Sequence, residues 1–255
     1  MNVAIITGAS SGIGKRFCER ISELGKFDEL WILARRKDRL LELEEKLNVP
    51  CKVLDWDLTD DSSIEKLKAL LAEEKPNISL LVNCSGFGKF CETTAVDTMV
   101  NLNMIDLNCK AVVYTCQLCL PYMKENSKII NIASVAAFQP IPYINVYGAT
   151  KAFVLSFSRA LNREVKKRGI TVTAVCPFWT KTEFFDRAVK DDNKVVKKYT
   201  AMYDVDQIVG RAIKDTLKGK DVSKFGFVAR FQALLAKILP HSFVMSYWQH
   251  QQKLK

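Results

Sequence analysis

The stretch TGASSGIG at residues 7–14 lies between two segments with different hydrophobic patterns. The residues before it, VAIIT (3–7), form an apolar, mostly β-branched run that is typical of a buried strand. The residues after it carry apolar side chains at helical spacing. Glycines at this junction let the backbone turn tightly and let a phosphate approach the free N–H groups of the helix. The spacing is GxxxGxG rather than GxGxxG, but its place between a strand and a helix favours a dinucleotide-binding turn.

The same change of pattern recurs along the chain. Further strand-like runs occupy residues 29–34, 51–57, 78–83, 128–134 and 169–177. Helical spacing predicts helices over residues 11–25, 37–47, 60–75, about 100–124, and from the segment around Tyr147 to about Arg168. This alternation predicts an α/β fold, with a doubly wound, Rossmann-like parallel sheet of about seven strands and helices on both faces. No linker divides the chain, so we predict one catalytic domain over residues 1–226 and a helical C-terminal extension over residues 227–255.

The composition narrows the class of protein. The chain has 255 residues, of which 48% are hydrophobic and 26% charged, as in ordinary globular proteins. It has no basic leader and no apolar run near the ~20 residues that cross a bilayer, so we expect a cytoplasmic protein with no integral membrane segment. Its eight cysteines should then be reduced thiols. Two histidines near the C-terminal end favour neither a metal site nor a Ser-His-Asp hydrolase.

The net charge of +10 is concentrated in the C-terminal part of the chain. Residues 187–255 contain 14 Lys and Arg against 6 Asp and Glu, and no acidic residue follows Asp221. Residues 1–186 are nearly balanced, with 24 basic against 22 acidic residues. This asymmetry indicates an anionic partner, a basic surface or only improved solubility. We predict a small-molecule substrate and no nucleic-acid partner.

The end of the second strand predicts which dinucleotide binds. An acidic residue there would hold a ribose 2′-hydroxyl and repel a 2′-phosphate. This sequence has Arg35 and Arg36 instead, and guanidinium groups bind phosphate through forked hydrogen bonds. A pair of solvated arginines is the alternative interpretation, and we predict NADP rather than NAD.

A tyrosine and a lysine lie four residues apart in VYGATKAF (146–153). On a helix, Tyr147 and Lys151 share one face one turn apart, and the small residues between them leave room for a ligand. Taken alone, the pattern is also compatible with a half-exposed tyrosine beside a solvated lysine.

Six motifs, in order from residue 2 to about residue 182, resemble those of the short-chain dehydrogenase/reductase family. They are the glycine motif TGASSGIG, Asp57 in DLT, NCSG at 83–86, Asn108 in DLN, Ser134 in NIAS, and Tyr147 with Lys151 in YxxxK. In NCSG, Cys84 and Ser85 depart from the usual family residues. The resemblance implies an oxidoreductase, commonly a homodimer or homotetramer, with a catalytic tetrad of Asn108, Ser134, Tyr147 and Lys151.

The resemblance, together with the two arginines, also implies the cofactor contacts. They are Gly8, Ser10, Ser11, Gly12, Ile13, Gly14, Arg35, Arg36, Asp57, Leu58, Asn83, Ser85, Gly86, Tyr147, Lys151, Pro177, Thr180 and Thr182. One departure affects the nicotinamide end. The family usually continues its sixth strand with Pro-Gly, whereas here Phe178 follows Pro177 and requires a more ordinary backbone. Thr182 still matches the threonine that holds the nicotinamide amide.

The roles implied for the tetrad are chemically consistent. Tyr147 would give a proton to a carbonyl oxygen that is being reduced, and Ser134 would hydrogen-bond that oxygen. Lys151 would hold the nicotinamide ribose, and Asn108 would position a water. A cation ~4 Å from a phenol at an effective dielectric constant of ~20 favours the phenolate by about 4 kcal/mol, or roughly three pKa units. We therefore expect Lys151 to bring the pKa of Tyr147 near neutrality.

Aromatic residues near the expected cleft predict a bulky, apolar substrate. The predicted substrate contacts are Ser134, Phe138, Tyr143, Tyr147, Phe178, Trp179, Phe184 and Phe185, although about half of the aromatic residues could belong to the core. The resemblance to bacterial hydroxysteroid dehydrogenases and related carbonyl reductases implies a hydroxysteroid or bile acid. A 3-oxoacyl-thioester reductase is the alternative, since the basic C-terminal part could attract a phosphopantetheine carrier. A non-catalytic NADP-binding regulator is a third possibility.

The segment FVARFQALLAKILP (227–240) has a broad apolar stripe at helical spacing. Further aromatic side chains follow Pro240, and so wide a stripe must be covered by something. It could lie on an anionic membrane surface, pack on its own domain or cross to a second subunit. We predict that it docks on protein and borders the active site.

Overall fold

The strands form one sheet in the computed structural model, which describes residues 1–189 and 195–254. The strand order is β3-β2-β1-β4-β5-β6-β7, and every neighbouring pair is parallel. The strands are β1 (Asn2–Thr7), β2 (Glu29–Leu33), β3 (Cys51–Leu54), β4 (Asn77–Asn83), β5 (Lys128–Ile132), β6 (Thr171–Val175) and β7 (Val222–Ser223). The order reverses between β1 and β4, which confirms the predicted doubly wound α/β fold.

The helices connect these strands and cover both faces of the sheet. They are α1 (Gly12–Ser22), α2 (Lys37–Glu44), α3 (Asp61–Glu74), α4 (Thr98–Ile105), α5 (Ala111–Cys119), α6 (Asn145–Val165), α7 (Phe184–Ala188), α8 (Val205–Leu217), α9 (Phe227–Ile238) and α10 (His241–Gln252). Successive residues of β1 show how the two layers arise. Val3 and Ile5 join the core formed with α3, α5 and α6, whereas Ala4 and Ile6 join the core formed with α1, α2 and α8. This alternation follows from the two-residue period of a strand.

Four strands, β2, β3, β5 and β6, are shorter than the runs predicted, whereas β1 and β4 each begin one residue earlier. β3 ends at Leu54 and β5 ends at Ile132, so Asp57 and Ser134 lie on loops beyond the carboxyl edge of the sheet. The two-residue strand β7 escaped the sequence analysis because it is too short to show a periodicity.

The long helix predicted over residues 100–124 is interrupted. A π-helical turn, Asp106–Lys110, separates α4 from α5, and a 3₁₀ turn, Leu120–Tyr122, ends the segment. A π turn inside a helix often marks a functional position, and this one carries Asn108. Further along, Cys116 and Cys119 are fully buried in the larger core, which is typical of a packed helix face rather than a redox site.

The C-terminal segment forms two helices rather than one, because Pro240 separates α9 from α10. Ala229 of α9 belongs to the larger core. In α10, the Trp248 indole N–H donates a 3.1 Å hydrogen bond to the carbonyl of Pro142, and the Gln252 side chain accepts from the backbone N–H of Lys197 at 2.7 Å. Both helices are therefore docked on the fold. No helix in residues 1–189 or 195–254 is long and apolar enough to cross a membrane.

Candidate active site

One cavity of about 750 Å³ opens beyond the carboxyl ends of the strands. In a doubly wound sheet this edge, next to the reversal of strand order, is where ligands bind. The glycine turn lines one part of the cavity, and aromatic residues together with α9 and α10 line another. Among the predicted cofactor contacts, every residue except Asn83 belongs to the lining.

The glycine turn between β1 and α1 needs its glycines for steric reasons. Gly8 and Gly12 have φ of 69° and 52°, in the left-handed region that favours glycine. A Cβ on Gly14 would lie 2.2 Å from the carbonyl oxygen of Gly8, and one on Gly8 would lie 2.8 Å from the backbone nitrogen of Ser85. The turn is thus tightly closed, and it exposes the first N–H groups of α1 to the cavity.

Arg36 is held against the glycine turn. Its guanidinium donates to the Ser10 hydroxyl at 3.1 Å and to the Ser11 hydroxyl at 2.8 Å. It also pairs with the carboxylate of Glu183 at 3.1 Å, and Arg39 pairs with the same carboxylate at 2.6 Å. Hydrogen bonds from Arg39 and Arg36 hold the pKa of Glu183 below its usual value. The sequence analysis missed Arg39, although its place one helical turn beyond Arg36 was a usable signal.

Asp57 lies beside Arg35, the other arginine at the end of β2. Its carboxylate accepts from the backbone N–H of Thr59 at 2.9 Å, from the Thr59 hydroxyl at 2.8 Å and from Arg35 at 3.2 Å. Burial acts against the charged form, but these hydrogen bonds and the charge of Arg35 hold the pKa of Asp57 below its usual value. Arg187, which the sequence analysis also missed, lies 3.5 Å from the centre of the Phe87 ring and lines the same cavity. Burial and the charge of Arg35 lower the pKa of Arg187.

The end of β4 is positioned by buried amide and hydroxyl groups. The Asn83 side-chain amide donates to the side-chain amide oxygen of Asn131 at 2.9 Å and accepts from the Thr115 hydroxyl at 2.9 Å. Because these partners lie in the core, the Asn83 side chain does not reach the cavity. Ser85 does line it, and the Thr7 hydroxyl fixes its backbone by accepting from its N–H at 3.1 Å.

Tyr147 and Lys151 face the cavity from the first turns of α6. The Lys151 ammonium donates to the carbonyl oxygen of Ile132 at 2.8 Å and lies 5.7 Å from the centre of the Tyr147 ring. Burial lowers the pKa of Lys151 to about 8. Lys151 is thus anchored to the end of β5 beside the phenol.

With only the protein's own groups around it, Tyr147 does not have the lowered pKa that the sequence argument predicted. Burial raises the pKa of Tyr147 to about 12, and a hydrogen bond with Ser134 only partly opposes that increase. The sequence argument used the charge of Lys151 and left out desolvation, which disfavours the phenolate. Phe90 and Phe184 supply much of this apolar surrounding, with ring centres 5.9 and 5.4 Å from that of Tyr147.

Asn108 lies behind this pair rather than in the cavity lining. Its amide group donates to the carbonyl oxygen of Phe87 and to the Thr150 hydroxyl, both at 2.9 Å, and it accepts from the Phe87 N–H at 3.1 Å. Both amide donors are therefore used within the protein. A Cβ on Gly86 would lie 2.8 Å from the Asn108 oxygen, so Asn108 packs closely on the loop that follows β4.

Ser134 and the segment after β6 complete this side of the cavity. The Ser134 hydroxyl accepts from the N–H of Ala136 at 3.1 Å, and the carbonyl of Pro177 accepts from the N–H of Val135 at 3.0 Å. Phe178 is not among the described residues with positive φ, so this backbone accepts a side chain where the family usually has glycine. Thr182 reaches the glycine turn, since a Cβ on Gly12 would lie 3.3 Å from its methyl group.

The predicted substrate contacts separate into two groups. Ser134, Tyr147, Phe178, Trp179, Phe184 and Phe185 line the cavity, whereas Phe138 and Tyr143 do not. Phe138 packs on the large core, with the Lys224 ammonium 5.3 Å from its ring centre. The backbone turns through φ of 67° at Tyr143, and its neighbours Ile141 and Ile144 belong to the lining instead. The lining also includes Phe90, Gln139 and Lys198, which sequence reasoning missed. Several residues of α9 and α10 belong to it too, as predicted for the C-terminal extension.

Comparison with known proteins identifies the family. The family model described as short chain dehydrogenase matches residues 2–193, so the chain belongs to this family of oxidoreductases. A very-long-chain 3-oxoacyl-CoA reductase from Bos taurus is 34% identical, with 71% of this chain and 60% of that protein covered. A short-chain dehydrogenase from Sphingobium yanoikuyae, solved in complex with NADPH, is 30% identical with a TM-score of 0.78 and 96% of each chain covered. The bulky-bulky ketone specific alcohol dehydrogenase from Comamonas testosteroni is 28% identical with a TM-score of 0.75, and 96% of this chain and 94% of that chain are covered.

Proposed function

We propose that the chain is an NADP(H)-dependent oxidoreductase that interconverts a secondary alcohol and a ketone on a bulky, apolar substrate. The observation that carries this proposal is a single cavity that joins the glycine turn, the Ser134, Tyr147 and Lys151 side chains, and a wide aromatic wall. The NADPH-bound relative from Sphingobium yanoikuyae supports the choice of cofactor. We further propose a homodimer or homotetramer.

The residues at the glycine turn suit a dinucleotide. The turn is too tight to admit a side chain at Gly14. The free N–H groups at the start of α1 can bind the pyrophosphate. Arg35 and Arg36, which line the cavity, would bind the 2′-phosphate together with Arg39, which meets Arg36 at Glu183. Asp57 and Leu58 would contact the adenine. Bound NADP(H) would supply or accept the hydride.

The chain's own residues would handle the proton. In ketone reduction, Tyr147 would donate its phenolic proton to the carbonyl oxygen, while the Ser134 hydroxyl would stabilise the charge that develops there. Lys151 would hold the nicotinamide ribose and stabilise the phenolate that remains. Asn108 would act as a positioning residue, because its hydrogen bonds fix the loop at Phe87.

The Tyr147 pKa of about 12 predicts opposite pH behaviour for the two directions. At pH 7 the phenol is protonated, which is the form that donates a proton, and below its pKa of about 8 Lys151 keeps its charge, so ketone reduction should change little between pH 5 and pH 7. Alcohol oxidation requires the phenolate, whose fraction grows with pH, so its kcat/KM should increase over the same interval. Stopped-flow rates in both directions test this, and an oxidation rate that is independent of pH would contradict the assignment of Tyr147.

The shape and apolar lining of the cavity favour a large, rigid ketone, with a hydroxysteroid or bile acid as the proposed class. Phe178, Trp179, Phe184 and Phe185 form a continuous aromatic wall, with neighbouring ring centres 5.8–5.9 Å apart. Such a wall can cover a flat hydrocarbon. The preference of the relative from Comamonas testosteroni for bulky ketones agrees with this proposal.

A 3-oxoacyl thioester is the second candidate substrate. Arg187 and Lys198 line the cavity and could bind the phosphate groups of a thioester carrier. The bovine 3-oxoacyl-CoA reductase also supports this candidate.

A substrate panel separates the two candidates. With NADPH and purified protein, we expect kcat/KM for a steroid ketone to exceed that for a 3-oxoacyl thioester and to exceed that for a small aliphatic ketone by at least about 100-fold, since apolar burial gives ~25 cal/mol per Å². Trp179→Ala should reduce the steroid rate and leave the small-ketone rate nearly unchanged. A higher kcat/KM for the thioester would instead establish the second candidate.

A further inference from the structure

The outer side of the C-terminal helices exposes an unusual amount of apolar surface. Along α9, the exposed residues recur every three or four positions and so form one row, whose members are Phe227, Arg230, Phe231, Leu234, Lys237 and Ile238. From α10, Phe243 and Tyr247 are also exposed. We call these eight residues the tail face. A soluble monomer rarely leaves so many large apolar side chains together in water.

The tail face cannot be buried by a simple rotation of the helices, because their opposite sides are already packed. Ala229, Ala233 and Ala236 are the buried residues of α9. In α10, Trp248 and Gln252 are buried and hydrogen-bonded to the segments at Pro142 and Lys197. Within residues 1–189 and 195–254, nothing therefore covers the apolar side chains on the outer side.

The tail face borders the mouth of the cavity. Phe231, Phe243 and Tyr247 are 48%, 58% and 60% exposed, yet all three also line the cavity. They stand where the cavity meets the surface, whereas Leu234 and Ile238 lie outside the lining. Whatever covers the tail face thus lies next to the entrance for substrate.

The charges on the tail face restrict what can cover it. Arg230 and Lys237 lie within the row of apolar residues, and neither forms an ion pair with any residue in 1–189 or 195–254. No acidic residue follows Asp221. A symmetric pairing of two such faces would bring like charges together, which costs free energy. A bilayer with anionic headgroups offers negative charge to Arg230 and Lys237 and hydrocarbon to the apolar side chains around them.

We propose that the tail face docks on an anionic lipid bilayer, and that the apolar substrate enters the cavity directly from that bilayer. The second half of this inference rests on the proposed function, whereas the docking does not. Binding to lipid and turnover can therefore fail independently.

Vesicle flotation of the full-length protein tests the docking. We expect binding to phosphatidylcholine vesicles that contain about one quarter phosphatidylglycerol, and much weaker binding to phosphatidylcholine alone. Binding should weaken as salt is raised, since the Debye length falls from about 10 Å at 0.1 M to about 3 Å at 1 M. No binding to the anionic vesicles would overturn the proposal.

Variants locate the binding surface. The double variant Leu234→Glu and Ile238→Glu should weaken vesicle binding by at least about tenfold, because it places carboxylates in the apolar row. Leu217 of α8 is 65% exposed and lies outside the tail face, so Leu217→Glu is the matched control and should bind as the wild type does. Equal binding by the double variant and the wild type would overturn the proposal.

Two further measurements distinguish docking on a bilayer from an interface between copies of this chain. With a water-soluble ketone, the double variant should keep the wild-type rate, whereas its rate on an apolar ketone presented in anionic vesicles should fall. If the double variant instead converts a dimer to a monomer by light scattering without changing vesicle binding, the tail face is an interface between copies and the bilayer proposal is wrong.

Discussion

Tyr147→Phe should lower kcat for ketone reduction by about 10²–10⁴-fold, the range that a positioned general acid contributes. The substitution removes only the phenolic oxygen, so the contacts of the ring with Phe90 and Phe184 should persist. No histidine lies nearby to replace the lost proton donor, because both histidines, His241 and His250, belong to α10 and neither lines the cavity. Single-turnover rates with NADPH and a bulky ketone provide the measurement.

Cofactor affinity separates a loss of chemistry from a loss of structure. NADPH binding, followed by quenching of protein fluorescence, should change less than about threefold in Tyr147→Phe, because Arg36 and the glycine turn, which would hold the phosphates, are untouched. Tyr122→Phe, outside the cavity, is the matched control and should keep full activity. If Tyr147→Phe retains a tenth of the wild-type kcat, Tyr147 is not the proton donor.

The position of the active-site residues along the fold was predictable from local pattern. The glycine turn, Asp57, Ser134 and the YxxxK pair each follow a strand or begin a helix, and the carboxyl ends of parallel strands meet at one edge. Sequence spacing alone therefore brought these groups to one cavity. The interruption of the long helix at Asn108 was not predictable, because a π turn has no distinct apolar period.

The electrostatics of the site depended on burial, which a sequence does not specify. The charge of Lys151 suggested a lowered pKa for Tyr147, but the surrounding aromatic residues reverse the direction. Similarly, Phe138 and Phe184 look alike in the sequence, yet one packs on the core and the other lines the cavity. Glu183 is a third example, because only the folded chain brings it to the two arginines 144 and 147 residues away.

The arginines that meet at Glu183 should determine the choice between NADPH and NADH. The wild type should use NADPH at least tenfold more efficiently than NADH in kcat/KM, since hydrogen bonds to a charged group contribute about 1.5–3 kcal/mol, or roughly 10–100-fold. Arg36→Asp should narrow or reverse this preference. It replaces a guanidinium that donates hydrogen bonds to the 2′-phosphate with a carboxylate that repels phosphate and can accept a hydrogen bond from a ribose hydroxyl. Equal use of both cofactors by the wild type would contradict the assignment.

Substitutions at Arg39 and Glu183 test the preference for NADPH over NADH more specifically. Arg39→Gln should reduce kcat/KM with NADPH by about tenfold and leave NADH nearly unaffected, because only the 2′-phosphate would contact this side chain. Glu183→Gln should instead lower KM for NADPH, since the carboxylate now held at 2.6 Å from Arg39 and 3.1 Å from Arg36 competes with phosphate for both guanidiniums. Arg20→Gln is the matched control, because Arg20 pairs with Asp206 rather than with Glu183. If Arg39→Gln impairs NADPH and NADH equally, Arg39 acts on the fold of the turn rather than on the phosphate.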